Sequence, residues 1–167
     1  MPQGDAGRTS FRLPDALLAG QTYYWRARAE DGANTGSYST PVSFVIEAPV
    51  VLGAPVLVSP VNGEKVSSTK PTFRFRVSSR SGPVGTVTYG IEVSANESFT
   101  TKYGVWTLPE QPTEVSVSPV LEVPYDKVVF WRVRAHESYK GVLSAWSATG
   151  FFYGPDTPPP PAPTPSP

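Results

Sequence analysis

The sequence predicts an all-β protein whose antiparallel strands form a two-layered sandwich, and a repeated stretch carries most of this prediction. Residues 23–29 return as residues 129–135, and in both copies apolar residues alternate with two arginines. Alternation with a period of two over seven residues is typical of a β-strand with one buried face. Because an unpaired buried charge is costly, we expect the arginines to face water and Trp25 and Trp131 to face a core.

Composition supports this fold and excludes several classes of function. The 167 residues include 20 prolines and 14 glycines, with 12% aromatic and 17% charged residues, which favours strands and turns over helices. A formal net charge of zero argues against a nucleic-acid binder, because such a protein needs a basic surface. No apolar run approaches the roughly 20 residues of a membrane-spanning helix.

The residues that carry catalysis or bind metals are scarce. The chain has no cysteine and a single histidine, His136, so disulfides, thiolate sites and clustered zinc ligands are not expected. It also lacks a nucleophile elbow and a glycine-rich phosphate loop. We therefore predict a protein without catalytic activity and without a cofactor.

Several motifs, taken in order along the chain, resemble a known family. Residues 20–29 resemble strand F of a fibronectin type III domain, and residues 60–63 and 70–75 are similar to strands A and B of its bacterial cell-surface versions. Residues 91–99 resemble strand C and the turn after it. The resemblance spans about residues 10–154 and implies an immunoglobulin-like sandwich of sheets ABE and C′CFG. The family's corner tyrosine matches Tyr23 but falls on Val129 in the second copy, where Tyr125 is the candidate replacement.

The resemblance implies two tandem domains, the first truncated to its last strands. Residues 1–47 are assigned strands E, F and G only, at 11–13, 22–30 and 41–47. Residues 48–54 are predicted to be a linker and residues 155–167 a proline-rich spacer. Residues 55–154 are expected to hold a complete domain. Its first five strands are placed near residues 56–58 (A), 73–77 (B), 89–93 (C), 103–108 (C′) and 115–117 (E), before F and G.

The first domain lacks an opposing sheet. Tyr23 and Trp25 would each bury about 150–250 Å², roughly 4–6 kcal/mol apiece as an upper estimate. Three interpretations stay open. The sequence is a piece of a longer gene, the strands pack on the second domain, or they accept strands from another chain.

The arginine faces are the strongest candidate site. Residues 143–147 resemble the tryptophan–serine box of cytokine receptors with its first tryptophan replaced by leucine, and in that family strand F arginines stack on such tryptophans. A stabilising cation–π ladder is favoured over a binding surface, at about 0.5–1 kcal/mol per contact. Its members are Arg132, Arg134 and Trp146 in the second copy, and Arg26, Arg28 and Tyr38 in the first.

Two weaker candidates remain. Trp106 and Tyr103 near strand C′ could form a platform for sugar stacking, although packing at the sandwich edge is favoured. Thr157, Thr164 and Ser166 lie among prolines and resemble O-glycosylation sites, although a bare interdomain spacer is favoured.

The resemblance implies a non-catalytic structural, adhesion or spacer module of a larger secreted or cell-surface bacterial protein. Its expected partners are neighbouring domains of the same chain and a protein or polysaccharide ligand. Two alternatives stay open: an accessory carbohydrate-binding module of a secreted glycoside hydrolase, and a subunit of an extracellular fibre assembled by strand complementation.

Overall fold

The computed structural model describes residues 9–158 and divides the chain into two compact units, Met1–Pro49 and Val50–Pro167. All regular secondary structure in the described residues is β-strand. Among these residues no helix is long and apolar enough to cross a membrane.

Unit 1 contains one antiparallel pair of strands, β1 (Thr22–Trp25) and β2 (Val42–Val45). Tyr23 lies opposite Phe44, and the two rings stack with their centroids 5.8 Å apart. The Tyr23 hydroxyl accepts a hydrogen bond from the backbone N–H of Leu18 at 2.8 Å. This bond fixes the turn that leads into β1.

Three expectations for unit 1 need correction. Trp25 was expected inside a core, but 54% of it is exposed, because the described residues of unit 1 form no second sheet to cover it. Residues 11–13, assigned to strand E, are irregular, since no described strand pairs with them. Strand F was predicted over 22–30, but regular pairing ends at Trp25.

Unit 2 contains ten strands in two main sheets and one short pair. One main sheet has the order β10-β6-β4 and the other β5-β12-β11-β8-β9, while β3 pairs with β7. The strands are β3 (Val51–Leu52), β4 (Val56–Ser59), β5 (Glu64–Lys65), β6 (Phe73–Arg76), β7 (Arg80–Ser81), β8 (Val87–Ser94), β9 (Lys102–Pro109), β10 (Glu114–Val117), β11 (Val128–Glu137) and β12 (Gly150–Tyr153).

The strand order of unit 2 is that of a fibronectin type III sandwich. Strands β4, β6 and β10 take the places of A, B and E, and β9, β8, β11 and β12 take those of C′, C, F and G. The immunoglobulin-like sandwich that the family resemblance implied is therefore confirmed for unit 2. The short strands β3, β5 and β7 are additional to these seven strands.

The core of unit 2 lies between its two sheets. In β6, Phe73 and Phe75 are fully buried while the arginines between and after them are exposed. The ring of Phe73 meets that of Trp131 of β11 edge to face at 4.9 Å. Trp131 is fully buried, and its indole N–H donates to the carbonyl of Pro60 at 2.7 Å. The strand F tryptophan therefore faces the core in this unit, as the alternation predicts.

Two details of unit 2 differ from expectation. Within the segment predicted as a linker, Val51–Leu52 forms β3 against Arg80–Ser81, and Leu52 joins the core at 8% exposure. Burial removes the apolar side chain of Leu52 from water, which is more favourable than leaving it in a solvated linker. Val129 occupies the corner position inside the core, and Tyr125 does not replace the corner bond, since its hydroxyl has no hydrogen-bond partner within residues 9–158.

Candidate functional site

The outer face of β11 carries a stack of cations and rings, which we call the unit 2 ladder (Arg132, Arg134 and Trp146). The guanidinium carbons of Arg132 and Arg134 lie 4.2 Å and 4.5 Å from the Trp146 ring centroid. The guanidinium carbon of Arg132 also lies 4.0 Å from the Phe99 ring centroid. The structure thus brings together all three residues that the sequence singled out, and adds a second ring.

Two serines hold Trp146 in place. The hydroxyls of Ser144 and Ser147 accept hydrogen bonds from the backbone N–H groups of Ala135 (2.9 Å) and Val133 (3.1 Å). Their own N–H groups donate to the carbonyls of the same two residues. Trp146 lies before strand β12, which begins only at Gly150, so serine hydroxyl groups take the place of regular strand pairing along this stretch.

A buried carboxylate anchors the unit 2 ladder. Glu92 of β8 lies directly opposite Arg132, is 7% exposed, and accepts hydrogen bonds from its guanidinium at 2.9 Å and 2.7 Å. Lys102 donates to the other carboxylate oxygen at 2.6 Å. Burial by itself raises the pKa of Glu92, but these hydrogen bonds outweigh it and hold that pKa below its ordinary value.

Sequence reasoning missed Glu92. The signal was an acidic residue on the polar face of strand C, at the alternate position between two buried residues, Ile91 and Val93. A carboxylate on this face of strand C can pair with a cation at the opposite position of strand F. Arg132 was predicted from the sequence, but Glu92, its partner on the neighbouring strand β8, was not.

Unit 1 repeats this arrangement as the unit 1 ladder (Arg26, Arg28 and Tyr38). The guanidinium carbons of Arg26 and Arg28 lie 3.8 Å and 4.8 Å from the Tyr38 ring centroid. Ser39 plays the part of the serines in unit 2, since its hydroxyl accepts from the N–H of Ala27 at 3.1 Å. The ladder therefore needs only strand F and the segment before strand G.

A second buried carboxylate, which was also not predicted from the sequence, is bound by backbone groups of the protein. Glu137 at the end of β11 is fully buried and accepts three backbone N–H groups, from Gly85, Tyr139 and Lys140, at 2.7–2.9 Å. Burial raises the pKa of Glu137, but these three bonds together hold it below its ordinary value. No group of three or more potential metal ligands occurs among the described residues.

The predicted sugar platform is not assembled as a pair. Trp106 is partly buried against the core, and its ring lies so close over Gly104 that a Cβ there would sit 2.2 Å from it. Tyr103 is 37% exposed and does not stack on Trp106. The exposed Phe151 and the partly buried Phe130 lie side by side on the outer face of β11 and β12, with their ring centroids 6.5 Å apart.

Of the residues considered for O-glycosylation, only Thr157 lies within the described residues; Thr164 and Ser166 lie outside them. The Thr157 hydroxyl donates to the carboxylate of Asp126, which also accepts the Thr157 backbone N–H at 3.0 Å. This hydroxyl is therefore engaged within the protein.

No protein-family model matches the chain, and no curated protein matches it. Solved structures that are similar to it include the following three. A fibronectin type III-like protein from Clostridium thermocellum has 16% identity and a TM-score of 0.36, over 65% of this chain and 96% of that one. The chicken interferon gamma receptor alpha chain has 15% identity and a TM-score of 0.42, over 81% and 66%. The FN1–FN3 domains of chicken CNTN1 have 19% identity and a TM-score of 0.37, over 84% and 46%. The fold of unit 2 is established by its own strand order and register.

Proposed function

We propose that the chain is a non-catalytic structural module that holds other domains of a larger secreted or cell-surface protein at a distance. The observation that carries this proposal is the way the chain leaves unit 2. The turn at 124–127 binds the segment that follows β12 through its backbone, with Gly154 N–H donating to Lys127 and Asp126 N–H donating to Pro155 at 2.9 Å and 3.0 Å. Side chains add to this, since Lys65 pairs with Asp156.

The segment that follows β12 is held against the turn at 124–127, and this matters because a proline-rich sequence comes next. Residues 158–167 are mainly proline, which lacks a backbone N–H and fixes φ near −65°. Such a sequence favours an extended polyproline conformation that advances about 3.1 Å per residue. Residues 159–167 lie outside the described residues. From their sequence we expect a stiff spacer, and a stiff spacer that starts from a fixed position would keep a neighbouring domain at a defined distance.

The arginine face supports the same role. Arg132 is already engaged by Glu92, Phe99 and Trp146, so its cationic group is satisfied within unit 2. A surface whose charges are paired internally resists nonspecific association and stabilises the sheet. The packing of Trp106 over Gly104 gives the carbohydrate-binding alternative no comparable support.

The test uses the absence of cysteine from the chain. Spin labels are placed at Val120→Cys, a fully exposed position of unit 2, and at Ser166→Cys. We expect a narrow distance distribution between them, and a broader one when Asp126→Ala removes the bonds to Thr157. The matched control, Asp15→Ala in unit 1, leaves the distribution unchanged. A wild-type distribution as broad as that of a chain with residues 158–167 replaced by glycine and serine would overturn the proposal.

A further inference from the structure

We infer that the outer face of unit 2 binds an acidic side chain of a partner protein, whose carboxylate lies over Gly90 and pairs with Arg134. This site is separate from the spacer role and does not depend on it. Its residues come from β8, β9 and β11, which all belong to the larger sheet of unit 2.

The outer face of this sheet carries three rows of residues that cross β11, β8 and β9 in register. Residues paired across neighbouring strands share a face, so each row is a set of side-by-side neighbours. The rows are Arg132–Glu92–Val105, Arg134–Gly90–Thr107 and His136–Thr88–Pro109. Each row begins with a basic residue, but only the first contains a carboxylate.

The two arginines therefore differ in what surrounds their charge. Arg132 donates two hydrogen bonds to Glu92, at 2.9 Å and 2.7 Å. Arg134 contacts the Trp146 ring at 4.5 Å, but no carboxylate or other acceptor among residues 9–158 hydrogen-bonds to its guanidinium. Its N–H groups are thus available to an anion, and a planar carboxylate matches them with two parallel hydrogen bonds.

Gly90 occupies the position from which β8 would otherwise supply a partner for Arg134. Its φ is not in the left-handed region, and β8 pairs with both neighbouring strands without a register shift at this residue. A Cβ at Gly90 would meet nothing within 4 Å, so packing does not require glycine here either. Glycine inside a strand weakens it, and it often marks a place where a ligand approaches the backbone closely.

The space over Gly90 is bordered by a second polar group. Thr107 lies on the other side of Gly90 and is exposed, and its hydroxyl hydrogen-bonds to no residue in the part of the chain that the structure describes. Arg134 and Thr107 belong to strands two apart in the sheet, so about 10 Å separates their backbones. A carboxylate over Gly90 would accept from the guanidinium on one side and from the hydroxyl on the other.

The surroundings favour a protein over an acidic saccharide as the source of the carboxylate. The three rows contain no phenylalanine, tyrosine or tryptophan on which a sugar ring would stack, and the Trp146 ring already contacts both arginines. Val105 in the neighbouring row is 56% exposed and offers an apolar contact instead. An arginine beside exposed apolar surface is characteristic of protein interfaces.

The experiment follows the arginine Nε–H and backbone N–H signals of the isotope-labelled full chain by nuclear magnetic resonance. The probe is the peptide Val-Thr-Glu-Thr-Val, blocked at both ends and titrated at millimolar concentration. We expect a saturable shift of the Arg134 and Gly90 signals. Arg132 is the control within the same molecule, because it contacts the same ring but is already bonded to Glu92, so its signal should move much less.

Two variants test the space over Gly90. Gly90→Val fills this space with a side chain suited to a strand and should weaken binding by at least about 10-fold. Gly90→Glu places a carboxylate opposite Arg134, as Glu92 lies opposite Arg132. It should move the Arg134 signal without peptide and abolish binding of the probe. Ser116→Val, an exposed strand position in the other sheet, should leave the affinity unchanged.

Several results would overturn the inference. The first group is the absence of a saturable shift, equal shifts of Arg132 and Arg134, equal binding of a peptide with glutamine in place of glutamate, and undiminished binding to the Gly90→Val chain. Saturable binding of digalacturonic acid without binding of the peptide would identify a saccharide as the ligand instead. A shift of the Arg134 signal with protein concentration alone would identify a second copy of the chain.

Discussion

Strand F is nearly repeated in the two units, yet its tryptophan has opposite surroundings. Trp131 is fully buried and Trp25 is 54% exposed. In unit 2 the sheet β10-β6-β4 covers the tryptophan and supplies Phe73 and the carbonyl of Pro60 as partners. In unit 1 the described residues form a single two-stranded sheet. Alternation thus decides which face of a strand is apolar, and a second layer decides whether that face is buried.

The outer face behaves differently. Both ladders form, with four cation–π distances between 3.8 Å and 4.8 Å. Each one needs only strand F and the chain that returns beside it. The ladder contacts therefore form without an opposing sheet, whereas burial of the strand F tryptophan requires one.

The largest difference should appear when each tryptophan is removed. Trp131→Ala deletes a fully buried indole and its hydrogen bond, so we expect unit 2 to lose about 3–5 kcal/mol of unfolding free energy. Trp25→Ala should cost under about 1 kcal/mol, because its ring is already largely in water. Calorimetry of the full chain measures both effects, and equal losses would mean that Trp25 is covered in solution.

The second comparison concerns the arginines. Arg132→Met leaves the buried Glu92 with Lys102 as its only cation, which should cost unit 2 about 2 kcal/mol. Arg26→Met removes a stacked cation with no carboxylate opposite, so we expect a loss below about 1 kcal/mol. Urea unfolding of the two variants gives the difference. Similar losses would show that stacking alone, and not Glu92, makes Arg132 important.

Much of this fold was predictable because one face of each strand is buried. Seven strands of unit 2 were placed from alternating patterns together with the family resemblance, and the order in the sheets that the resemblance implied is confirmed. Phe73 and Phe75 show why: apolar residues at alternate positions, with arginines between, allow one orientation of the strand. The serines around Trp146 were within the recognised motif, although their bonds to strand F were not foreseen.

Other features could not be predicted from local patterns. Leu52 is buried because it reaches a core that distant strands build, and a two-residue strand has no periodicity to detect. Residues 11–13 alternate but do not form a strand, because alternation without a pairing partner leaves backbone groups to water. Glu92 looked like an ordinary surface acid, since its role depends on the register of β8 against β11.

A smaller effect should follow from removing the ring of each ladder. Trp146→Ala loses two cation–π contacts and a partly buried ring, and we expect a loss of about 1–2 kcal/mol in unit 2. Tyr38→Ala loses the equivalent contacts on a more exposed ring, so about 0.5–1 kcal/mol is expected in unit 1. Thermal unfolding followed by circular dichroism measures both. A Trp146→Ala chain with unchanged stability would remove the stabilising role assigned to the unit 2 ladder.

The smallest effect is the dependence of unit 2 on acid. Hydrogen bonds from Lys102 and Arg132 outweigh the effect of burial and hold the pKa of folded Glu92 below its ordinary value of 4.5. As pH falls, the unfolded chain binds a proton at this residue first, so the contribution of Glu92 is present above about pH 4.5 and is lost as pH falls through the folded pKa. Glu92→Gln should therefore flatten the acid decline in unit 2 stability, whereas Glu97→Gln, an exposed control, should not. If both variants keep the wild-type slope, the carboxylate opposite Arg132 does not stabilise the sheet through its charge.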